Sequence, residues 1–307
     1  MKRKVIMALI TALALTFSAC GGKTEAAPEA GAVTEETVSE AEPGNEEAAG
    51  DAAEQTDIAG DVPEAGGGSP SEDRFFSWSA DNVLLSLSES GREQEELVIP
   101  AKCTGIDAAA FQSSAARVIT FEDDDDLGDL ESAFFGASEL KEIRLPAGQK
   151  QIGDFAFSDC TALETITIPS AAESIGEYAF SGCSSLKEIA FGENLKSIGE
   201  NAFENCALNT LSVPEGVESI GMYSFYGNKG LTSVTLPSTI KTIDDCAFDE
   251  CPLAEVHMHP DMQPEDISLN AFGGAAIEDL VVYISEGSWL DLNRNAWMGL
   301  VQHVEYE

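Results

Sequence analysis

Apolar and polar residues alternate over short stretches that return at a nearly constant interval. Leu163, Ile166 and Ile168 lead to Pro169. Leu186, Ile189 and Phe191 repeat the spacing, and Leu208, Leu211, Val213 and Pro214 follow. Alternation of this kind suits a short strand with one face buried. Ahead of each strand stands a second phrase: Ile152-Gly153 with Ala156-Phe157 and Cys160, Ile175-Gly176 with Ala179-Phe180 and Cys183, Ile198-Gly199 with Ala202-Phe203 and Cys206. Ile220-Gly221 and Ile243-Asp244 open two more copies, and Ile267 opens a worn one. The opening residues lie 23, 23, 22, 23 and 24 positions apart. A fixed period of this size predicts a solenoid, because one such unit cannot bury its own apolar face and neighbours must stack to do it.

Stacked in parallel, the strands lie about 4.8 Å apart. Phe111, Phe134, Phe157, Phe180, Phe203, Phe225, Phe248 and Phe272 then form an internal aromatic column, each preceded by Ala, or once by Ser224. Gly153, Gly176, Gly199 and Gly221 are expected to supply a backbone angle that a side chain forbids. Asp244 and Ser268 replace that glycine, which predicts less regular coils there. Leu130 stands one residue out of register with the later copies and predicts an irregularity of its own.

The phrase Ile-Gly-x-x-Ala-Phe-x-x-Cys-x-x-Leu-x-x-Ile-x-Ile-Pro resembles the BspA-like leucine-rich repeat family of bacterial surface proteins, over roughly residues 75–307. The resemblance implies a leucine-rich-repeat solenoid, an α/β-type superhelix with a parallel β-sheet on its concave face, and, more loosely, surface adhesion. About eight coils of 22–24 residues are expected over 106–283, between an N-terminal cap at 75–105 and a C-terminal cap at 284–307. In the first cap, Val83–Leu87 and Leu97–Ile99 read as strands around a polar turn. In the second, Val281–Ile284 reads as the last strand, Trp289 and Trp297 as core-packing residues of a short helix or turn, and 301–306 as a final extended segment.

Residues 1–19 read as a targeting segment: Lys2, Arg3 and Lys4, then an apolar run from Val5 to Phe17. Phe17-Ser18-Ala19-Cys20 resembles a lipobox. That resemblance implies that Cys20 becomes the first mature residue and carries a lipid, placing the chain on the outer side of the cytoplasmic membrane or at the cell surface. Residues 20–74 hold no aromatic side chain and many acids opposed only by Lys23 and Arg74, the composition of a disordered tether. A coil of this length reaches about 40 Å. No later apolar run is long enough to span a membrane.

The formal charge is −39, and removal of the three N-terminal basic residues takes it to −42. Such a charge disfavours nucleic acid and suits cationic partners. Cys160, Cys183, Cys206 and Cys251 share one place in four coils. A disulfide pair or a metal cluster is conceivable, but a ladder of small buried side chains is the reading preferred here. Cys103 and Cys246 have no assigned place. Glu122–Asp126 with Asp129 and Glu131 is either a calcium loop or a solvated one, with the spacing of neither an EF-hand nor a nonapeptide repeat. The three histidines are His257, His259 and His303. The first two, with Asp261 and Glu265 nearby, give a minor zinc alternative. No catalytic motif is present, so no enzyme and no cofactor is expected.

The expected site is therefore a surface. Between the buried strand positions, one column holds Val118, Glu142, Thr165, Glu188, Thr210, Ser233, Glu255 and Asp279. The next holds Thr120, Arg144, Thr167, Ala190, Ser212, Thr235, His257 and Val281. Eight coils make a ribbon of about 35–40 Å, a length suited to an extracellular or host protein or a polymer. Thr and Ser also favour exposed strands for their own sake, which leaves a structural envelope scaffold as the alternative. A monomer is expected.

Overall fold

A computed structural model describes residues 73–268, 270–273, 280–293 and 303–306, all within the compact unit Gly68–Glu307. The 1–19 segment, Cys20 and the tether up to Glu72 lie outside the described residues, as do Asp279 and Trp297.

The alternating stretches become strands that pair in parallel with copies in neighbouring coils, in three separate ladders. Glu96–Ile99, Val118–Phe121 and Glu142–Ile143 form one ladder. Thr165–Thr167 and Glu188–Ala190 form a second. Thr210–Ser212, Ser233–Leu236, Glu255–Met258, Val281–Ile284 and His303–Tyr306 form a third. Apolar positions meet in register: Ile166 with Ile189, Leu211 with Val234, Val234 with Val256. The solenoid has about nine turns, slightly more than the eight expected. Glu96–Ile99 and His303–Tyr306, both assigned to caps from the sequence, extend the parallel ladder at either end. Val281–Ile284 is thus not the last strand. Val83–Leu87 and Glu96–Ile99 do not pair with each other. The first pairs antiparallel with Phe76–Trp78 and parallel with Gly105–Ile106.

The Ile-Gly phrase builds a second sheet that the sequence did not reveal. Gln151–Ile152, Ser174–Ile175, Ser197–Ile198, Ser219–Ile220, Thr242–Ile243 and Asp266–Ile267 stack as six parallel two-residue strands. The repeat marks these positions, but two residues are too few to display the alternation that signals a strand. The coil of Leu130 adds no strand to this sheet, as its displaced register predicts. α-Helix among the described residues is confined to Glu89–Arg92, capped by Ser88, and Trp289–Leu292, capped by Ser288, with one 3-10 turn at Asp73–Phe75. The return legs are turns, so the solenoid is strand and turn rather than alternating strand and helix.

The aromatic column is continuous. From Phe111 to Phe272, successive rings stack with centroids 4.8–5.5 Å apart and planes within 20° of parallel. All but Phe272 are fully buried. The backbone sets this spacing: the Phe157 N–H donates to the Ala179 carbonyl at 2.7 Å, and Phe180 does the same to Ala202.

The repeated glycines serve a different purpose from the one expected. Gly153, Gly176, Gly199 and Gly221 are absent from the positive-φ residues. They are small because coils approach closely there: a Cβ on Gly199 would lie 2.7 Å from the Gly176 carbonyl carbon. Asp244 and Ser268 in the same slot keep the ladder, donating to the Ile220 and Ile243 carbonyls, so the expected irregularity at that point is not found. Left-handed backbone falls at two other places in each coil. One precedes the Ala-Phe pair, at Phe155, Tyr178, Asn201 and Tyr223. The other lies two residues past the Phe, at Asp159, Gly182, Asn205 and Gly227.

Candidate interaction surface

Strand alternation decides which side chains this surface presents. Thr165 and Thr167 are exposed on either side of buried Ile166. Thr210 and Ser212 flank Leu211, and Glu142 and Arg144 flank Ile143, in the same way. Ser233 is half-buried beside exposed Thr235, and Glu188 is exposed. Glu255 is exposed, and its Oε2 lies 3.5 Å from Nε2 of half-buried His257. Pairing brings Glu188 against Thr165, Ser233 against Thr210, Glu255 against Ser233, and His257 against Thr235. Within each ladder the expected columns therefore stand on one face.

One end of those columns is corrected. Val281 lies opposite Glu255, and Tyr283 lies opposite His257. The sequence reading set Asp279 and Val281 there, two residues out, because the turn between Glu255 and Val281 is longer than the repeat. Tyr283 is thus a surface residue that the fixed period missed. Its ring stacks on His257 with centroids 4.5 Å apart and planes 5° from parallel. The alternation of buried Val282 and Ile284 around it was the available signal.

Beside the short-strand sheet, charge alternates from coil to coil. Lys150 is followed by Glu173, Lys196, Glu218 and Lys241, with Lys196–Glu173 at 2.8 Å and Lys241–Glu218 at 2.6 Å. The Lys196 ammonium holds the Glu173 carboxyl below its usual range. Exposed pairs of this sort contribute little to stability, but in-register alternation opposes a one-coil slip.

The cysteines line the interior. Sγ of Cys160, Cys183, Cys206 and Cys251 donates to the carbonyl of Phe134, Phe157, Phe180 and Phe225, each at 3.1–3.2 Å. In the Phe225 coil Asn228 replaces the cysteine, and its Nδ2 donates to the Phe203 carbonyl at 2.9 Å. The slot takes small side chains, Ser114 and Ala137 included, and all six described cysteines are free thiols. Burial pushes these thiols well above the ordinary value, that of Cys251 to about 12. They are unreactive in the folded state. Cys103 is half-buried and donates to the Gly105 carbonyl, and Cys246 holds one of the left-handed turn positions.

Glu122, Asp124 and Asp126 of the 122–126 loop are engaged by the chain itself. Glu122 accepts from the Ala101 N–H, Asp124 from Ala147, and Asp126 from Gly128 while pairing with Lys150 at 3.3 Å. His259 Nδ1 accepts from the Asp261 N–H. Among the described residues no three His, Cys, Asp or Glu side chains are placed to hold a metal ion.

A family model described as BspA type leucine-rich repeat region matches residues 89–173 and 150–278, in six copies. The chain is similar in fold to the crystal structure of a leucine-rich repeat protein from Bacteroides ovatus. Identity is 22%, the TM-score is 0.53, and the match covers 72% of this chain and 55% of that one. The chain thus spans about half the length of that relative. A leucine-rich repeat protein of T. pallidum aligns at 25% identity and TM-score 0.44, over 62% of this chain and 85% of that one. A leucine-rich cell surface protein of Faecalibacterium prausnitzii aligns at 17% and 0.43, over 77% and 94%. No curated protein matches the chain.

Proposed function

The chain belongs to the BspA-type leucine-rich repeat family, and from that premise we propose that it is a cell-envelope protein that binds a protein or polymer ligand through its long-strand face, without bond-making chemistry. The observation that carries this reading is the exposure of Thr165, Thr167, Thr210, Ser212 and Thr235 on strands that are in register within each ladder. Short hydroxyl side chains on strands have little rotamer freedom to lose, which lowers the cost of binding. Glu142, Arg144, Glu188, Ser233, Glu255 and His257 supply charge and hydrogen-bonding groups along the same columns. Rungs about 4.8 Å apart over this many coils favour an extended macromolecule over a metabolite.

Anchoring belongs to the same proposal. Cys20 carries the lipid, and residues 20–74 hold the folded unit away from the membrane. The support is the order of basic residues, apolar run and Cys at the start of the chain. Cys20→Ala is expected to abolish fatty-acid labelling. Undiminished labelling would refute the anchor and leave the binding face untouched.

The test of the face is capture of a partner from envelope or host material by the full chain, followed by affinity measurements on Arg144→Glu and Thr167→Arg with circular dichroism as the folding control. Loss of affinity with an unchanged spectrum supports the reading. Equal affinity places the ligand elsewhere, and absence of any partner favours the scaffold alternative.

A further inference from the structure

Among the described residues the long-strand sheet is interrupted twice. Glu142–Ile143 does not pair with Thr165–Thr167, and Glu188–Ala190 does not pair with Thr210–Ser212. The two breaks differ. At the first, Ile143, Leu145, Ile166 and Ile168 all stay buried. At the second, Ile189 and Phe191 are only half-buried, though their equivalents on either side, Ile166, Ile168, Leu211 and Val213, are buried. The coils hold together around this second break. The Ala207 N–H donates to the Leu186 carbonyl at 2.9 Å just before the strands, and the Glu218 N–H donates to the Lys196 carbonyl at 2.7 Å after them. Beneath it the Phe191 ring stands edge-on to Phe203, with centroids 6.1 Å apart. The break is therefore a local slit in the long-strand face, with an apolar floor.

The walls of the slit are strand edges. In a parallel sheet one residue turns its N–H and C=O to the same neighbouring strand, and the next residue turns both the other way. The register of Glu188–Ala190 with Thr165–Thr167, and the Ile168 N–H donating to the Ala190 carbonyl, commit Glu188 and Ala190 to that strand. Ile189 thus turns its backbone groups into the slit. The register of Thr210–Ser212 with its copy from Ser233 to Thr235, and the Val213 N–H donating to the Thr235 carbonyl, commit Leu211 to the far side. Thr210 and Ser212 turn theirs into the slit. Among the described residues no strand hydrogen bond crosses it. Unpaired strand edges are templates for another chain. Ala190 and Ser212, both small and exposed, line the mouth.

We propose that this slit takes an extended polypeptide segment of a partner protein, which pairs its backbone with the edges at Ile189, Thr210 and Ser212 and lays an apolar side chain on Ile189 and Phe191. Two observations select a polypeptide. Unpaired N–H and C=O groups at strand spacing match another peptide backbone. The half-buried apolar floor rewards a hydrophobic side chain and disfavours a charged or heavily hydroxylated group. The inference rests on the long-strand face being the binding face, and it narrows the ligand from a protein or polymer to a protein.

The test uses the full chain and a fluorescein-labelled hexapeptide of alternating threonine and valine, read by anisotropy. The wild type is expected to bind it saturably. The same peptide N-methylated at every second residue loses backbone donors but keeps its side chains, and is expected to bind about tenfold more weakly or worse. Ser212→Pro removes an N–H that its own ladder does not use and is expected to weaken binding about fivefold or more. Glu193→Pro is the control. It copies Pro260 in the equivalent turn, where the Met262 N–H closes on His259 as the Leu195 N–H does on Gly192, and is expected to shift binding less than about twofold. No saturable binding by the wild type would overturn the proposal. So would equal affinity for the N-methylated peptide, or for Ser212→Pro. Should Ser212→Pro lose its circular dichroism signal, the N-methylated peptide on the wild type carries the decision alone. Each of these failures leaves the long-strand face standing, because Arg144→Glu tests that face with the captured partner and Arg144 lies outside the slit.

Discussion

The Cys183 thiol donates to the Phe157 carbonyl one coil away, across 3.1 Å. This contact recurs at Cys160, Cys206 and Cys251, and Asn228 makes its equivalent with Phe203. Cys183→Val keeps the volume and removes the donor; the Phe157 carbonyl keeps the Cys160 N–H at 3.1 Å, so the loss is expected to be about 0.5–1.5 kcal/mol. Cys183→Ser keeps a donor and should cost less. Urea midpoints for the two variants decide the point. A valine variant as stable as wild type would make the slot one of size alone.

Phe180 lies between Phe157 and Phe203 with ring planes 4° and 1° from parallel, fully buried. Phe180→Ala is expected to lose about 3–5 kcal/mol, because the neighbouring rings are fixed by backbone hydrogen bonds and cannot close the void. Phe272, half-buried at the end of the described stack, should cost clearly less when truncated. Comparison of the two denaturation curves checks the gradient.

Gly182 is small for two reasons at once. Its φ is +75°, and a Cβ there would lie 2.6 Å from Asp159 Oδ1. Gly182→Ala is expected to destabilise by about 1–2 kcal/mol from the backbone alone, with more from the collision. Adding Asp159→Ala should recover the second part and leave the first. A double-mutant cycle reads this as positive coupling.

Glu204 is buried, and its carboxylate accepts from Ser181 Oγ at 3.2 Å and Asn205 Nδ2 at 3.0 Å. Burial pushes its pKa above the ordinary 4.5, only partly offset by the Ser181 hydrogen bond. An acid whose pKa is raised on folding favours the native state while protonated. That favour is complete below 4.5 and is lost as pH rises through the folded value. Glu204→Gln is therefore expected to raise the melting temperature at neutral pH and to make no difference near pH 4. An equal shift at both pH values would contradict this origin.

Much of the solenoid was legible because its core obeys a period. The Phe column, the long strands and the cysteine slot each recur at fixed distance, so one coil explains the next. What escaped was what the period does not encode. The two-residue strands at Ser174–Ile175 and Ser197–Ile198 are too short to alternate. Gly199 reads as a conformational glycine until the neighbouring coil is placed against it, since close approach is a property of two coils and not one. The left-handed turn falls on Tyr178 and Phe155, residues without any turn propensity, because stacked coils impose the geometry. Tyr283 was missed because the turn between Glu255 and Val281 is longer than the repeat.

The central claim is that the long-strand face is where this protein meets its ligand. It is tested most directly by a photo-crosslinking residue placed singly at Thr167, at Thr210 and, on a loop away from the ladder, at exposed Asn194. Cross-links to one common partner from Thr167 and Thr210, and none from Asn194, are the predicted result. Cross-links from Asn194 with neither threonine position reacting would contradict it.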